Sequence, residues 1–379
     1  MNASVNLFLI LIPLFILSAF IYFGFYIIKL WYRLQKYNQH PLNIRTFDGS
    51  NSPYHPAVLY FENGWNGYKY WMAETPFAPD CKPYRDRNEC PSIHVSNDGI
   101  NWMEIIQNPI DNLTEQEVKE LDYFSDPHLV FVKDRIECWY RISRRHWNVN
   151  NHGNVKLVRK VSYDGIHWND REVMVDFIND TSLLGCIVVS PAILFRNNEY
   201  HIWYVNRERI SPNDKIRQRE LHYSTSPDGK SWKESNKCIL IGKSVEPWHI
   251  DVNFIDGRFW LTCYDYNDIT LWSSYDGINF TFLKTLVQSS VTGSFYGKGL
   301  YRAVLIKDNT YKLYFSANNI SKTYIGLMEG TTPEELTIKS PTNKKFCTFK
   351  EMIYQIWLHK KRSFVFMSKR FIKTVIWNK

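Results

Sequence analysis

Several features that would declare a chemistry are missing from this chain. None of its seven cysteines pairs as Cys-x-x-Cys, and the number is odd. Cys81, Cys90, Cys138, Cys186, Cys238, Cys263 and Cys347 stand mostly in apolar stretches. They read as buried free thiols of a reducing compartment. Long helical periodicity is missing between the two ends, which leaves the interior to strands. Charge is missing from the first 28 residues. A basic leader and a small-x-small cleavage site are missing there too, which argues against a cleaved signal peptide. A positive balance is missing from the middle, which carries a net charge of −5. The excess of +8 sits at the ends, with eleven Lys/Arg against one acid over 338–379. A nucleic-acid partner is therefore not expected.

What is present at the start is an almost wholly apolar run, Leu7 to Ile28. A membrane span needs about 20 apolar residues, so a transmembrane helix is expected. Lys29, Arg33 and Lys36 follow it, and the positive-inside tendency places the remainder on the cytoplasmic side. The basic tail interleaves Trp357, Phe364, Phe366, Phe371 and Trp377 with its charges, as a membrane-surface segment does.

Aromatic residues make up 16% of the chain, enough for a sizeable core. One phrase, Ser-x-Asp-Gly-x-x-aromatic, occurs four times. It opens at Ser96, Ser162, Ser226 and Ser274, with intervals of 66, 64 and 48 residues. Asp-Gly makes a tight turn, its carboxylate accepting from backbone N–H groups and its glycine taking a positive φ. These four aspartates read as turn formers, and their recurrence marks a repeat architecture.

Alternating β-branched and aromatic runs lie between the phrases, for example Tyr68–Ala73, Glu137–Ile142, Tyr200–Val205 and Tyr311–Phe315. Such runs are strand signals. In register they make five units, beginning near Pro53, Tyr123, Gly185, Pro247 and Phe295. Five radial, four-stranded blades give an all-β, five-bladed β-propeller, preferred over two packed sandwiches. The expected organisation is a membrane anchor over 1–36, the propeller over 37–337 and a basic tail over 338–379.

Inner strands of a propeller line its axis. Their first residues here are Tyr54-His55-Pro56-Ala57, Ser125-Asp126-Pro127-His128, Val189-Ser190-Pro191-Ala192, Trp248-His249-Ile250-Asp251 and Gly299-Leu300-Tyr301-Arg302. With a strand period of two, His55, Asp126, His128, Ser190, His249, Asp251 and Arg302 should gather at one mouth. Asp86, Glu89, Arg141 and Arg207 approach it from loops and second strands. Trp65, Trp147, Trp248 and Tyr301 offer stacking faces for sugar rings. A metal held by His55, His128, His249 and Asp126 lacks the local spacing of known motifs, and no cofactor is expected.

The frame "Asp-Pro-x-hydrophobic, Gly-x-Tyr-hydrophobic, Ser-x-Asp-Gly-x-x-Trp", over residues of roughly 50 to 330, resembles the five-bladed propeller glycoside hydrolases of families 32, 43, 62 and 68. The resemblance implies three acidic residues at the inner-strand starts of the first three blades: a base or nucleophile, an acid and a tuning aspartate. Asp126 matches the second-blade aspartate. His55 stands where the first-blade aspartate would be, and Val189-Ser190-Pro191 where an acid motif would be. Glu246 and Asp251 are the candidate substitutes. The expected activity is glycosidase-like, on a glycan or glycosyl donor, with surface polysaccharide metabolism as the expected setting. A non-catalytic glycan-binding propeller and a glycosyltransferase on the same frame are the alternatives.

Overall fold

The alternating runs pair into five sheets, antiparallel but for one edge strand, in a computed structural model that describes residues 3–36, 39–77, 89–120, 122–144, 156–176, 189–206, 219–288, 294–319 and 322–341. The helix α1 (Ala3–Lys36) belongs to one structural unit. Within it Ile12–Lys29 has a mean hydropathy of 1.9, long and apolar enough to cross a membrane. The basic tail lies almost wholly outside the described residues.

The other unit is the propeller. Blade one holds β1 (Pro53–Trp65), β2 (Tyr68–Pro76) and β3 (Ser92–Ser96). The short helix α2 (Glu115–Lys119) leads to blade two, β4 (Asp122–Val132), β5 (Arg135–Arg144), β6 (Lys156–Ser162) and β7 (Glu172–Asp176). Blade three is β8 (Val189–Arg196), β9 (Glu199–Asn206), β10 (Glu220–Ser226) and β11 (Asn236–Lys237). Then β12 (Ile239–Ile241) adds in parallel to the outer edge of blade four, which is β13 (His249–Ile255), β14 (Arg258–Tyr264), β15 (Asp268–Ser274) and β16 (Asn279–Gln288). Blade five is β17 (Gly299–Lys307), β18 (Tyr311–Asn318), β19 (Thr323–Gly330) and β20 (Thr337–Lys339).

Two blades depart from the expected four strands. Blade four gains β12. Blade one stops at three among the described residues. There the Asn108 side chain takes the place of a fourth strand's backbone, accepting from Ile93 N at 2.8 Å and donating to Ile93 O at 3.0 Å. Beside it Val95 and Met103 exchange backbone bonds at 2.9 and 3.0 Å, and Ile110 N donates to Pro91 O at 2.9 Å.

The repeated phrase joins blades to one another. In every copy the Asp accepts from the second and third N–H groups after it at 2.7–2.8 Å. The Ser hydroxyl accepts from the Gly N–H at 2.7–2.9 Å. Each Gly then lies against an aromatic ring on the second strand of the preceding blade: Gly165 on Trp71, Gly229 on Trp139, Gly277 on Trp203 and Gly99 on Tyr314. All four rings are fully buried. Trp203 donates to Gly277 O at 2.6 Å, and Tyr314 donates to Gly99 O at 2.9 Å. The last contact links blade one to blade five and closes the ring. Thr323 of blade five adds hydrogen bonds to Ser52 O and Phe77 O at 2.9 and 2.7 Å.

Four inner strands carry a bulge at the end that bears the candidate site, seen as register shifts at 54/57, 125/128, 189/192 and 300/303. In blades one to three the bulged residue precedes a proline and has positive φ: His55 (51°), Asp126 (53°) and Ser190 (51°). A proline suits a bulge because it has no N–H to leave unpaired. A non-glycine residue in the left-handed region is strained, and such residues cluster at ligand sites.

A methyl group at Gly165 (φ 74°) would overlap the Trp71 ring, whereas Gly67 (φ 88°) faces open space. Gly165→Ala should lower the unfolding free energy by about 2–4 kcal/mol, overpacking added to backbone strain. Gly67→Ala should cost only the strain, about 1 kcal/mol. Denaturant titration reads both values, and equal losses would refute the docking role of the phrase.

Candidate active site

The inner-strand residues gather at the axis, but at two depths. Residues i and i+2 of a strand share a face yet lie about 7 Å apart along it. The first layer is a pit of His55, Asp126, His249 and Tyr301, with Arg141 and Glu89 beside it. The second layer is a floor made of His128, Asp251 and Arg302.

Asp126 is the centre of the pit and is 1% exposed. Its Oδ2 lies 2.8 Å from Arg141 Nη2. Its Oδ1 lies 3.1 Å from His249 Nδ1 and 4.0 Å from His55 Nε2. Arg141 is held in place by Ser125, to which it donates at 2.7 Å. His55 is oriented by Thr75, with Nδ1 2.9 Å from Oγ1, and by its own backbone N–H donating to Ser316 Oγ at 3.0 Å. Glu89 Oε2 lies 3.8 Å from His55 Nδ1. Tyr301 covers His249, with ring centroids 3.7 Å apart.

Polar atoms of this cluster are buried without hydrogen bonds: His55 Nε2, both nitrogens of His249 and both carboxylate oxygens of Asp126. The His249–Asp126 distance is within reach, but the two groups are not aligned into a hydrogen bond. Buried polar groups are normally satisfied, so such a set marks a place for a polar occupant.

Electrostatics fix the charge states. Burial works against ionisation of Asp126, but the Arg141 charge, followed by His249, holds its carboxyl well below the usual range. Burial lowers His55 to about 3, outweighing the attraction of Asp126. His249 is lowered for the same reason. At neutral pH the pit therefore holds one carboxylate and two neutral imidazoles.

The floor is built differently. Arg302, fully buried, donates from blade five to Pro127 O at 2.7 Å and to Pro191 O at 3.2 Å. The same guanidinium lies 2.7 Å from His128 Nδ1 and 3.4 Å from Asp251 Oδ1. His128 Nε2 bonds the Ile193 carbonyl at 2.8 Å, which leaves Nδ1 to accept from Arg302. Asp251 also accepts from Asn253 at 3.1 Å. Ser190 Oγ meets Ile250 N and O at 3.3 Å and ties blade three to blade four.

The remaining candidates scatter. Glu246 lies on the rim, 54% exposed, with Arg219 as its ion partner at 3.4 Å. Trp248 borders the pit, its Nε1 3.3 Å from Tyr301 OH. Trp65 sits at the far end of β1 from His55 and packs edge-on against Trp71 and Phe131, because its face completes the core of blade one. Asp86, Arg207 and Trp147 lie outside the described residues. Thr75 and Ser316, which position His55, escaped sequence reasoning. Thr75 is detectable only through the pairing register that sets it opposite Tyr54.

This is a five-bladed β-propeller of the kind found in glycoside hydrolases. No protein-family model matches the chain. It is 26% identical over 320 residues to the A type blood N-acetyl-alpha-D-galactosamine deacetylase of Flavonifractor plautii, covering 69% of this chain and 40% of the relative. The chain thus spans two fifths of that relative's length. Among solved structures, an N-acetylgalactosamine deacetylase from F. plautii in complex with blood group B trisaccharide superposes with a TM-score of 0.65. The match has 19% identity and covers 78% of this chain and 96% of that one. CoXyl43, a GH43 β-xylosidase/α-arabinofuranosidase from a compost microbial metagenome, gives a TM-score of 0.56 at 9% identity, covering 81% and 98%.

His55 should stay neutral from pH 8 down to pH 5, and His249 should protonate only below the usual imidazole range, as read by ring signals in NMR titration assigned with His→Gln variants. The unfolded chain takes up these protons near pH 6.5 and the folded one at lower pH, so stability should fall as pH drops below about 6.5. A midpoint near 6.5 for either ring would refute the buried, neutral assignment.

Proposed function

We propose that the chain is a carbohydrate-active hydrolase whose pit removes an acyl group from an N-acylated sugar of a glycan. Asp126 carries the reading: one ionised carboxylate beside a neutral, buried imidazole is the arrangement that activates water. Asp126, 3.1 Å from His249 Nδ1, steadies the imidazolium as it forms. His249 Nε2 takes a proton from water, the resulting hydroxide adds to the acyl carbonyl, and the same proton passes to the leaving nitrogen. Water is consumed, and a free amine and a carboxylate result. Arg141 and His55 bound the side of the pit where negative charge develops. The likeness to the F. plautii deacetylase supports this choice of bond. Asp251 and Arg302 are assigned to positioning, since each already engages the other and His128. Glu246 has no described contact with the pit and is given no role in the reaction.

A second reading is glycosidic hydrolysis with Glu89 as the acid partner of Asp126. Its support is the place of Glu89 beside His55. Two imidazoles and a carboxylate are also the donor set of a divalent cation. Among the described residues no three such groups stand in coordination geometry, so no step is written through a metal.

We also read α1 as an anchor that holds the propeller at a membrane, on the cytoplasmic side by its flanking charges. The protein should stay in the membrane fraction under alkaline extraction, and a chain lacking residues 1–36 should not.

Asp126→Asn and His249→Gln should each lower kcat at least 100-fold for release of acetate from an N-acetylgalactosamine-terminated glycan, with the fold intact by circular dichroism. Release of a reducing sugar without acetate would replace this reading by the glycosidase one. Loss of activity on chelation, restored by manganese or zinc, would replace the dyad by a metal-bound water.

A further inference from the structure

The pit does not end at His249 and Tyr301. Trp248 reaches from Tyr301 to the rim, and Tyr266 lies beside it with centroids 5.3 Å apart and planes 28° apart. The guanidinium of Arg219 covers both rings, 4.5 Å from the Trp248 centroid and 4.3 Å from that of Tyr266. Glu246 flanks the stack through its ion pair with Arg219.

Core packing accounts for Trp248, which rests against the core of blades three and four, but not for Tyr266. Tyr266 is 43% exposed and has a φ of 74°, an expensive conformation for a bulky residue. The turn that holds it is pinned by Asp265, whose Oδ1 accepts from Asn267 N at 3.2 Å and Asp268 N at 3.0 Å. Arg219, just ahead of β10, meets these rings with its Nε and Nη1 buried and without a hydrogen bond. The turn thus lays a partly exposed Tyr266 ring beside Trp248, which itself borders the pit.

We propose that Trp248, Tyr266 and Arg219 form a second sugar-binding platform on the rim of blade four, which takes the ring next to the one in the pit. Flat aromatic faces suit the apolar side of a pyranose, while Arg219 and Glu246 supply a donor and an acceptor for its hydroxyls. The inference rests on the carbohydrate reading of the pit and adds that the ligand is an oligosaccharide rather than a single sugar.

Calorimetry on full-length His249→Gln protein tests it, using the methyl glycoside of N-acetylgalactosamine and an N-acetylgalactosamine-terminated trisaccharide. The trisaccharide should bind about tenfold tighter, the worth of one stacked ring. Adding Tyr266→Ala or Arg219→Gln should remove that gain and leave the monosaccharide constant unchanged. Equal affinities for the two ligands would overturn the platform and leave the proposed function standing. A loss that affects the monosaccharide equally would also overturn it, by showing a merely structural role. Trisaccharide binding that needs Tyr266, with no monosaccharide binding, would sustain the platform and remove the pit. Binding of neither ligand would remove both.

Discussion

The guanidinium of Arg302 is the constraint on which the site depends. It comes from blade five and reaches two carbonyls, an imidazole and a carboxylate supplied by blades two, three and four. A buried cation is costly unless every nearby group answers it. Here the answering groups are the strand ends that also carry Asp126, Ser190 and His249. A shift of any one blade would leave charge unpaired at the axis, so the floor sets the geometry of the pit above it. Deleting Asp251 or His128 would harm the pit without either touching a ligand.

The ring around that axis is held by shape rather than charge. Each turn glycine seats on an aromatic ring of the neighbouring blade, and the last such seat, Gly99 on Tyr314, joins the two ends of the propeller. The same four residues, Ser, Asp, Gly and a buried ring, thus satisfy the turn's backbone and the interface between blades together. A turn motif that also docks leaves little freedom for insertion on that face. Loops on the opposite face, which carries the pit, are free of the requirement.

Much of this was legible in the sequence for physical reasons. Ser-x-Asp-Gly is a local hydrogen-bonding device whose outcome depends on no distant residue, so four turn positions followed from it, and the fifth blade from the strand runs laid in register. The convergence of His55, Asp126 and His249 followed from strand period and radial order. What the sequence could not convey was depth and pairing. His128 and Asp251 share a face with Asp126 and His249, yet two residues of rise put them in the floor, where Arg302 engages them. The three-stranded first blade was likewise hidden, because the Asn108 side chain imitates a backbone. Tyr266 and Arg219 carried no signal, since their meeting with Trp248 depends on a turn conformation that tyrosine rarely adopts.

The paired bulge and proline at His55, Asp126 and Ser190 has an evolutionary side. The backbone there takes its shape from the proline and from neighbouring strands, and it accepts an imidazole, a carboxylate or a hydroxyl with the same torsion angle. Side-chain identity at these tips is thereby uncoupled from folding. Single-codon changes at three sockets could exchange acid, base and ligand-holding groups while the wheel of sheets stays intact, a route by which one scaffold acquires new bond-cleaving chemistries.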